Sequence, residues 1–302
     1  MNSTCRLCRT HKVVLKESHV IPSFVGKYLK RTSATGFLIS VSTSGETSRV
    51  QDLFKTHLLC EKCEQCLNRH ETFVADNIFY PYKRNSLQSI PTDEHIGRFT
   101  VSISLRALWM LLETNDPLAM QWKDSLVALE TEWRNYLLET PGFTKGPNTH
   151  HLLLSSPELL AAGLKTAPNL VLAIFRTSAY YIDEQFGKAF IFSNMAGMQT
   201  LSMVSPTQMP VCRGTEVYPK QTLGVQHPPG IGWGGYFQTI LGLNQRCDEA
   251  GRNISQRHDA MIERSASKNP QRVLNSEDLQ IINWQKKRLH DLNKGKFDHE
   301  ET

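Results

Sequence analysis

The sequence predicts an α+β protein in which a small cysteine-rich unit precedes a larger, helix-rich mixed domain. Short apolar runs typical of strands are interspersed with longer stretches of helical periodicity, and no internal repeat is visible. Five of the seven cysteines fall within the first 66 residues. The chain has 302 residues, of which 40% are hydrophobic, so it is able to bury a substantial core.

The clustered cysteines form two Cys-x-x-Cys knuckles. Each knuckle is a tight turn whose two sulfurs reach one ion, and two knuckles are the usual tetrahedral ligand set of a structural zinc ion. We therefore predict a structural Zn²⁺ site made of Cys5, Cys8, Cys60 and Cys63. Cys66 continues the spacing of the second knuckle, so an exchange of ligands is open, but we expect it to face the core. An odd cysteine count with clustered knuckles favours a reducing compartment and predicts a cytoplasmic protein.

The pattern divides the chain into three parts: a zinc-binding unit over residues 1–84, a helix-rich α+β domain over residues 85–250, and a charged helical segment over residues 251–302. The expected elements are strands at 13–15, 19–21 and 37–41, a helix capped by Ser23, a helix from 61 to about 78 ended by Pro81, helices at 102–113 and 117–138, a strand or helical turn at 170–175, a hairpin around Gly197, and a final helix capped by Ser276.

Residues 189–212 carry no charge and are long enough to suggest a membrane span. Polar side chains such as Asn194, Gln199 and Gln208 interrupt the stretch, and these are costly in hydrocarbon. We therefore predict buried strands here and no membrane association.

The formal net charge of +5 and a pI of about 8.8 are a mild basic bias that is compatible with nucleic acid. Basic residues cluster in and near the zinc-binding unit, where they predict phosphate contacts. The candidates for binding nucleic acid are Arg6, Arg9, Lys27, Lys30 and Arg31. The same residues also fit a solubilising surface, and the sequence leaves both interpretations open.

Between the knuckles lies the run Ser18-His19-Val20-Ile21-Pro22, and Leu59 enters the second knuckle. A knuckle, a histidine followed by Ile-Pro, and Leu-Cys-x-x-Cys at the start of a helix resemble the HNH endonuclease family. The resemblance covers residues 5–74, about a quarter of the chain. It implies a ββα-metal fold and hydrolysis of phosphodiester bonds in nucleic acid, with DNA expected rather than RNA.

The resemblance also implies roles for individual residues. His19 would be the general base, since the pKa of an unperturbed imidazole lies near neutrality. Asn68 stands five places after the last knuckle cysteine, where the family has its final motif residue. Glu64, Asn68 and Glu71 have helical spacing that places them on one face, as a hard oxygen set for a catalytic Mg²⁺ or Mn²⁺. An ordinary solvated helix face is the alternative interpretation of that spacing.

The sequence departs from the family pattern at two places. Ser18 stands where an acidic residue is expected, with Glu17 on the opposite strand face, and Lys55 and His57 stand where a middle Asn is expected. These departures favour the alternative hypothesis, a non-catalytic zinc module that binds DNA or a protein partner.

Two further hypotheses concern the rest of the chain. The later domain would select substrate or bind a protein partner, and the resemblance suggests a defence or toxin-type effector. A small-molecule effector site within residues 150–245 is also open, because that region has a mixed strand pattern and a glycine-rich loop at 230–235.

Overall fold

The computed structural model describes residues 3–42, 46–87, 89–90, 94–139, 150–204, 215, 217, 223–224, 234–252 and 256–294. The strands are β1 (Leu15–His19), β2 (Leu38–Val41), β3 (Thr47–Val50), β4 (Lys55–Cys60), β5 (Ser89–Ile90), β6 (His150–Leu154), β7 (Ser178–Gln185), β8 (Lys188–Met195), β9 (Met198–Met203) and β10 (Leu223–Gly224). The α-helices are α1 (Ser23–Thr32), α2 (Glu61–Val74), α3 (Tyr80–Lys83), α4 (Glu94–Glu113), α5 (Pro117–Gln121), α6 (Lys123–Leu137), α7 (Pro157–Leu160), α8 (Leu170–Phe175), α9 (Gly234–Arg252), α10 (Gln256–Lys268), α11 (Pro270–Leu274) and α12 (Glu277–Asn293). The predicted α+β class is confirmed at this level.

The N-terminal unit is built on an antiparallel pair of β1 and β4, in which Leu15 lies opposite Cys60 and His19 opposite Lys55. Side chains alternate between the two faces, so Ser18 is buried while its neighbour Glu17 is exposed. The strand begins later than the predicted 13–15, because Val13 pairs only with Ser3 in an isolated bridge.

Helix α1 follows directly, and the predicted cap by Ser23 is wrong. Ser23 is the first helical residue, and extended Pro22 occupies the cap position without any side-chain hydrogen bond. Proline suits this position because its fixed φ agrees with the extended backbone there.

The second predicted helix also runs further than the sequence suggests. A π-helical turn over Ala75–Phe79 joins α2 to α3, and the backbone N–H of Tyr80 donates to the carbonyl of Ala75. Proline lacks an N–H and its ring clashes with a carbonyl one turn earlier in a regular helix. The widened turn changes the register just before Pro81, so the chain stays helical to Lys83.

Helix α4 is the central element, and it starts eight residues before the predicted Ser102. It is buried on nearly all sides from Ile96 to Leu111. The hydroxyls of Thr100 and Ser104 donate to carbonyls one turn earlier, at 2.9 and 3.1 Å, which removes the cost of burying them.

Helix α4 packs against an antiparallel sheet with strand order β6-β9-β8-β7. The predicted hairpin around Gly197 is confirmed as the turn between β8 and β9. Gly197 has a φ of +94°, and a Cβ there would approach the hydroxyl of Tyr82 to 2.7 Å, so glycine is required.

Both faces of this sheet are covered. On one face Ser202 contacts Ser104 of α4, with 2.5 Å between the hydroxyl oxygens. On the other face the hydroxyl of Tyr236 in α9 donates to Gln199 at 2.5 Å. The uncharged run from residue 189 thus forms strands β8 and β9 with the turn between them, and the part of the run after Val204 lies outside the described residues. In the described parts of the chain, no helix combines the length and apolar character needed to cross a membrane.

Two hydrophobic cores hold the molecule together, and each draws on residues before and after position 84. One contains Phe24 and Phe79 together with Phe190 of the sheet, and the other contains Leu58 together with Trp133. The three-part division of the chain at 84 and 250 stays a prediction, but the packing across the first boundary is continuous.

The final helix α12 is docked by charge as well as by packing. Ser276 caps it as predicted, accepting from the N–H of Leu279 at 3.2 Å. The first-turn carboxylates Glu277 and Asp278 each contact the guanidinium of Arg176 at 2.5 Å, and the Arg176 side chain is only 7% exposed. Residue Ile281 joins the larger core, so this predicted segment packs onto the preceding domain.

His150 makes stability depend on pH. Burial, reinforced by neighbouring His151, lowers the pKa of His150 to about 3, and its Nδ1 lies 2.5 Å from the hydroxyl of Ser202. Below about pH 6.5 the unfolded chain takes up a proton that the folded protein refuses, so the unfolding free energy falls. Between pH 6.5 and 5 the unfolding free energy falls in both proteins. We expect the fall, measured by urea denaturation, to be about 1.5 kcal/mol smaller in His150→Asn than in wild type. Equal losses would contradict this assignment.

Candidate metal centre and histidine site

The two cysteine knuckles meet at the base of the β1–β4 pair. The sulfur atoms of Cys5, Cys8, Cys60 and Cys63 all lie within 4.8 Å of one another. The Sγ atoms of Cys8 and Cys60 are 3.8 Å apart, although these residues are separated by 52 positions in sequence. The first knuckle closes by a backbone hydrogen bond of 2.9 Å from Arg9 to the carbonyl of Cys5.

Local hydrogen bonds favour a thiolate in this cluster. Hydrogen bonding from the Cys63 thiol lowers the pKa of Cys5 to about 4, against burial, and the backbone amides of Cys60 and Cys8 contribute. The N–H of Cys60 lies 3.3 Å from the Cys5 sulfur. Interactions of this kind orient ligands around a metal and hold their charge.

These residues fit a zinc ion. Zn–S bonds of about 2.3 Å in a tetrahedron place neighbouring sulfurs about 3.8 Å apart, which is the separation of Cys8 and Cys60. The cluster can therefore bind a structural metal such as zinc, as predicted. Cys66 is half-buried and lies outside the cluster, so the sulfurs that meet are the predicted four and Cys66 does not enter the core.

His19 ends β1, at the opposite end of the strand pair from the sulfurs. Its Nε2 lies 3.0 Å from Oδ2 of Asp52, a residue in the segment that leads into β4. Burial opposes ionisation of Asp52, but the hydrogen bond with His19 and the charge of His19 hold the pKa of Asp52 below its usual range. The imidazole is 20% exposed and therefore reachable from solvent.

Of the three residues on the helix face predicted to carry oxygen ligands, Glu64 contacts β1 and Glu71 contacts α4, so two already have partners. The hydroxyl of Ser18 donates to Oε2 of Glu64 at 2.5 Å. Glu71 pairs with the guanidinium of Arg106. Asn68 is exposed. At position 18 the resemblance leads us to expect an acidic residue, but the chain has serine. The Ser18 hydroxyl is buried, and its hydrogen bond to Glu64 satisfies it.

Arg106 of α4 connects this helix face to the histidine. Its guanidinium is only 2% exposed, and it donates to the backbone carbonyl of His19 at 2.6 Å and to Oε1 of Glu71 at 2.5 Å. A buried cation with these two acceptors fixes the end of β1 against both α2 and α4. Glu71 therefore contributes to the site by positioning His19 through Arg106.

A preassembled second metal site is not seen. In the part of the chain that the structure describes, the four cysteines are the one group of three or more His, Cys, Asp or Glu side chains close enough to hold an ion. A catalytic Mg²⁺ or Mn²⁺ therefore stays a prediction.

The five basic residues predicted to contact phosphate lie in two places. Arg6 and Arg9, in the first knuckle, pair with Glu113 and Glu130. The other three are on α1. Lys27 is exposed, and Lys30 donates to the carbonyl of Gln51 at 2.9 Å. The guanidinium of Arg31 lies about 6 Å from the ring centres of Tyr28 and Tyr80. The Arg6–Glu113 pair is exposed on both sides, and exposed ion pairs are weak, so Arg6 is able to exchange partners.

For two other histidines near the site, His57 and His70, the sequence predicts surface positions rather than metal ligation. His57 is exposed on β4, as expected. The expectation for His70 is wrong, since it is 1% exposed. Its Nδ1 lies 3.0 Å from Nδ1 of His95, and burial, followed by the charge of Arg69, lowers the pKa of His70 to about 3. His70 is therefore a neutral core residue between α2 and α4.

Sequence reasoning missed Asp52 and Arg106. A signal for Asp52 exists, because pairing Leu15 with Cys60 places the residues just before Lys55 beside His19. No comparable local signal points to Arg106, which lies in an apolar helix 87 positions from His19. The glycine-rich run at 230–235 lies mostly outside the described residues.

Comparisons with known proteins add no relative: no family model matches the sequence, and neither a curated protein nor a solved structure matches it. The resemblance to the HNH family therefore stays a prediction from the sequence motifs.

The metal prediction separates Cys60 from Cys66. We expect about one zinc per chain in wild type and in Cys66→Ser, measured by elemental analysis of purified protein. Cys60→Ser removes one of four ligands, so its zinc content should fall to near zero and its melting temperature should drop markedly. Equal zinc content in the two variants would contradict the four-sulfur site.

Arg106 can be tested by a double-mutant cycle. Arg106→Met leaves the partly buried Glu71 carboxylate unpaired, so we expect a loss of about 3–5 kcal/mol in unfolding free energy by urea denaturation. Adding Glu71→Gln removes the stranded charge and should restore part of that loss. If the double variant is no more stable than Arg106→Met, the ion pair does not carry the effect.

Proposed function

We propose that this protein is a metal-dependent HNH-type endonuclease that hydrolyses phosphodiester bonds of nucleic acid, DNA rather than RNA. The observation that carries the proposal is the His19–Asp52 pair at 3.0 Å, partly exposed at the end of a strand whose partner leads directly into the sulfur cluster. The motif resemblance predicts a histidine base at this position, and Asp52 gives it an orienting partner.

Asp52 determines which nitrogen of His19 acts. When the carboxylate accepts from Nε2–H, the lone pair of the neutral imidazole lies on Nδ1. In this proposal Nδ1 takes the proton of the attacking water, and Asp52 stabilises the imidazolium that results. Arg106 binds the backbone carbonyl of His19 and Asp52 binds its Nε2, so the residue is held at its backbone and at its ring.

The metal requirement follows from the charge of the substrate. A divalent cation, when bound, would neutralise charge on the phosphate and the departing oxygen. The hydrogen bond from Ser18 uses one of the two oxygens of Glu64, and Asn68 is exposed one turn further along α2, so these two residues are the proposed protein ligands. The structural zinc would have a separate role, holding the first knuckle against β4 and α2.

Substrate binding is proposed for the basic side chains of α1 and the first knuckle. Lys27, Lys30 and Arg31 lie on the helix that follows His19 directly, so their charges approach a phosphate chain lying over that histidine. The later domain would select the substrate or bind a protein partner. A role in defence or as a toxin-type effector is part of the same proposal and rests on the resemblance alone.

A second candidate function is a zinc module that binds DNA or a protein without cleaving. The observation that favours it is the engagement of the acidic groups, since Glu71 pairs with buried Arg106 and Ser18 replaces an acidic ligand. A site with fewer hard oxygens binds Mg²⁺ less well, while the sulfur cluster and the basic surface stay intact.

A cleavage assay with Mg²⁺ and Mn²⁺ tests the proposal, and His57 offers a matched control on the neighbouring strand. We expect His19→Ala to slow cleavage of plasmid DNA by about 10²- to 10⁴-fold, because removal of a general base has that effect. His57→Ala should cleave at the wild-type rate, and Asp52→Asn should lie between the two. An RNA substrate in parallel checks the preference for DNA.

Full activity in His19→Ala would remove the proposed base. DNA binding by wild type without cleavage in either metal would instead favour the second candidate, provided that binding weakens with salt as phosphate contacts require.

A further inference from the structure

A cavity of about 600 Å³ lies between α3, α8 and α12, away from the sulfur cluster and His19. Its walls include Tyr82, Phe175, Trp284 and Ile281, and the segment after β6 contributes Ser155. Cavities of this size are typical of small-molecule sites, and this one combines apolar walls with polar side chains, among them Asn85 and Gln280. The proposed nuclease chemistry makes no use of it.

Lys83, the last residue of α3, also lines this cavity. Its Nζ lies 4.7 Å from the ring centre of Phe175 and 5.1 Å from those of Tyr82 and Tyr28. The amine donates one hydrogen bond to the carbonyl of Ala196, in the turn between β8 and β9. The ring faces attract the charged amine, but burial among them removes most of its water, and this loss of hydration disfavours the charged form.

The neighbouring charges do not restore that loss. Glu277 of α12 lines the cavity, but it pairs with Arg176 and accepts from the hydroxyl of Tyr28 at 2.8 Å. Desolvation is the main effect and lowers the pKa of Lys83 to about 7, with Glu277 raising it and Arg176 lowering it. Glu158 is exposed and lines the same cavity. At neutral pH the neutral amine is therefore more populated for Lys83 than for an exposed lysine.

We infer that Lys83 is a nucleophilic amine that binds an aldehyde or ketone with an apolar body as a reversible imine within this cavity. A neutral, desolvated lysine is the form that attacks carbonyl carbon. The exposed carboxylate of Glu158 in the lining disfavours an anionic ligand, whereas an uncharged carbonyl compound meets no such repulsion.

The step balances without any further reactant. The Nζ lone pair forms a bond to the carbonyl carbon, and the π electrons move to oxygen, which takes a proton from water. The nitrogen returns one proton to the resulting hydroxide, which gives a neutral carbinolamine. The C=N bond then forms as the carbinolamine hydroxyl departs, and the second nitrogen proton goes to this hydroxide to make water. The sum is amine plus carbonyl giving imine plus water.

Lys83 also has a structural contact, the hydrogen bond to Ala196, and the test has to separate the two roles. A neutral amine keeps N–H donors for that bond, so holding the turn does not require the charged form. A purely structural lysine would react with carbonyl compounds no faster than lysines at the surface.

Reductive labelling of the full zinc-containing chain tests this inference. Benzaldehyde is the probe, sodium cyanoborohydride traps the imine as a benzylamine, and peptide mass spectrometry gives the extent at each lysine. Lys165, exposed on the turn that follows α7, is the internal control. At pH 7.5 we expect Lys83 to react roughly tenfold faster or more, because an ordinary lysine has a pKa of about 10.4. The Lys83 rate should level off above pH 7, while that of Lys165 keeps rising.

The cavity itself is tested by concentration dependence. The Lys83 rate should saturate with benzaldehyde, and Trp284→Ala, which removes one wall, should raise the half-saturating concentration several-fold without changing Lys165. Lys83→Arg should abolish labelling at this position alone. A Lys83 rate equal to that of Lys165 in wild type would overturn the inference, whatever the variants do. The result is independent of nuclease activity.

Discussion

The convergence of four sulfur atoms on one point is the constraint from which the rest of the N-terminal unit follows. Cys8 and Cys60 are 52 positions apart in sequence, yet their sulfurs approach to 3.8 Å. Closing so long a loop costs conformational entropy that a few hydrogen bonds do not recover, and a metal ion bound by the four thiolates would supply the difference. Because Cys60 ends β4 and begins α2, one clamp sets the strand pair and the helix together.

The same clamp places chemistry at a distance from itself. Strand β1 begins at Leu15, opposite Cys60, and ends at His19, opposite Lys55. The core then takes over, since buried Arg106 ties the carbonyl of His19 to α2 and α4. The sulfur cluster and His19 therefore lie at opposite ends of one strand pair. The buried guanidinium of Arg106 holds that pair against α2 and α4.

Features encoded by neighbouring residues could be predicted from the sequence. The two knuckles, the hairpin at Gly197 and the cap at Ser276 each depend on a few adjacent positions. Asp52 and Arg106 could not be found in this way, because their roles depend on contacts 33 and 87 positions away. The burial of His70 likewise depends on His95 in another helix.

The errors at Ser23 and Pro81 have a different origin, which is that local rules compete. Ser23 is a good cap by type, but extended Pro22 already starts the helix. Pro81 is a helix breaker by type, but one widened turn accommodates it. In both cases a proline decides the backbone, and the sequence alone does not reveal which of two compatible geometries the packing selects.

The widened turn over Ala75–Phe79 also sets how far α3 is rotated about the helix axis relative to α2. Adding one residue to a helix turns everything beyond it by about 100° relative to what precedes it. The sulfur-bearing end at Cys63 and the aromatic enclosure of Lys83 lie on either side of it, along one continuous helical rod. The π turn thus acts as a one-residue insertion. Deleting one of its residues would restore a regular α-helix, but would rotate the amine of Lys83 away from the aromatic side chains that surround it.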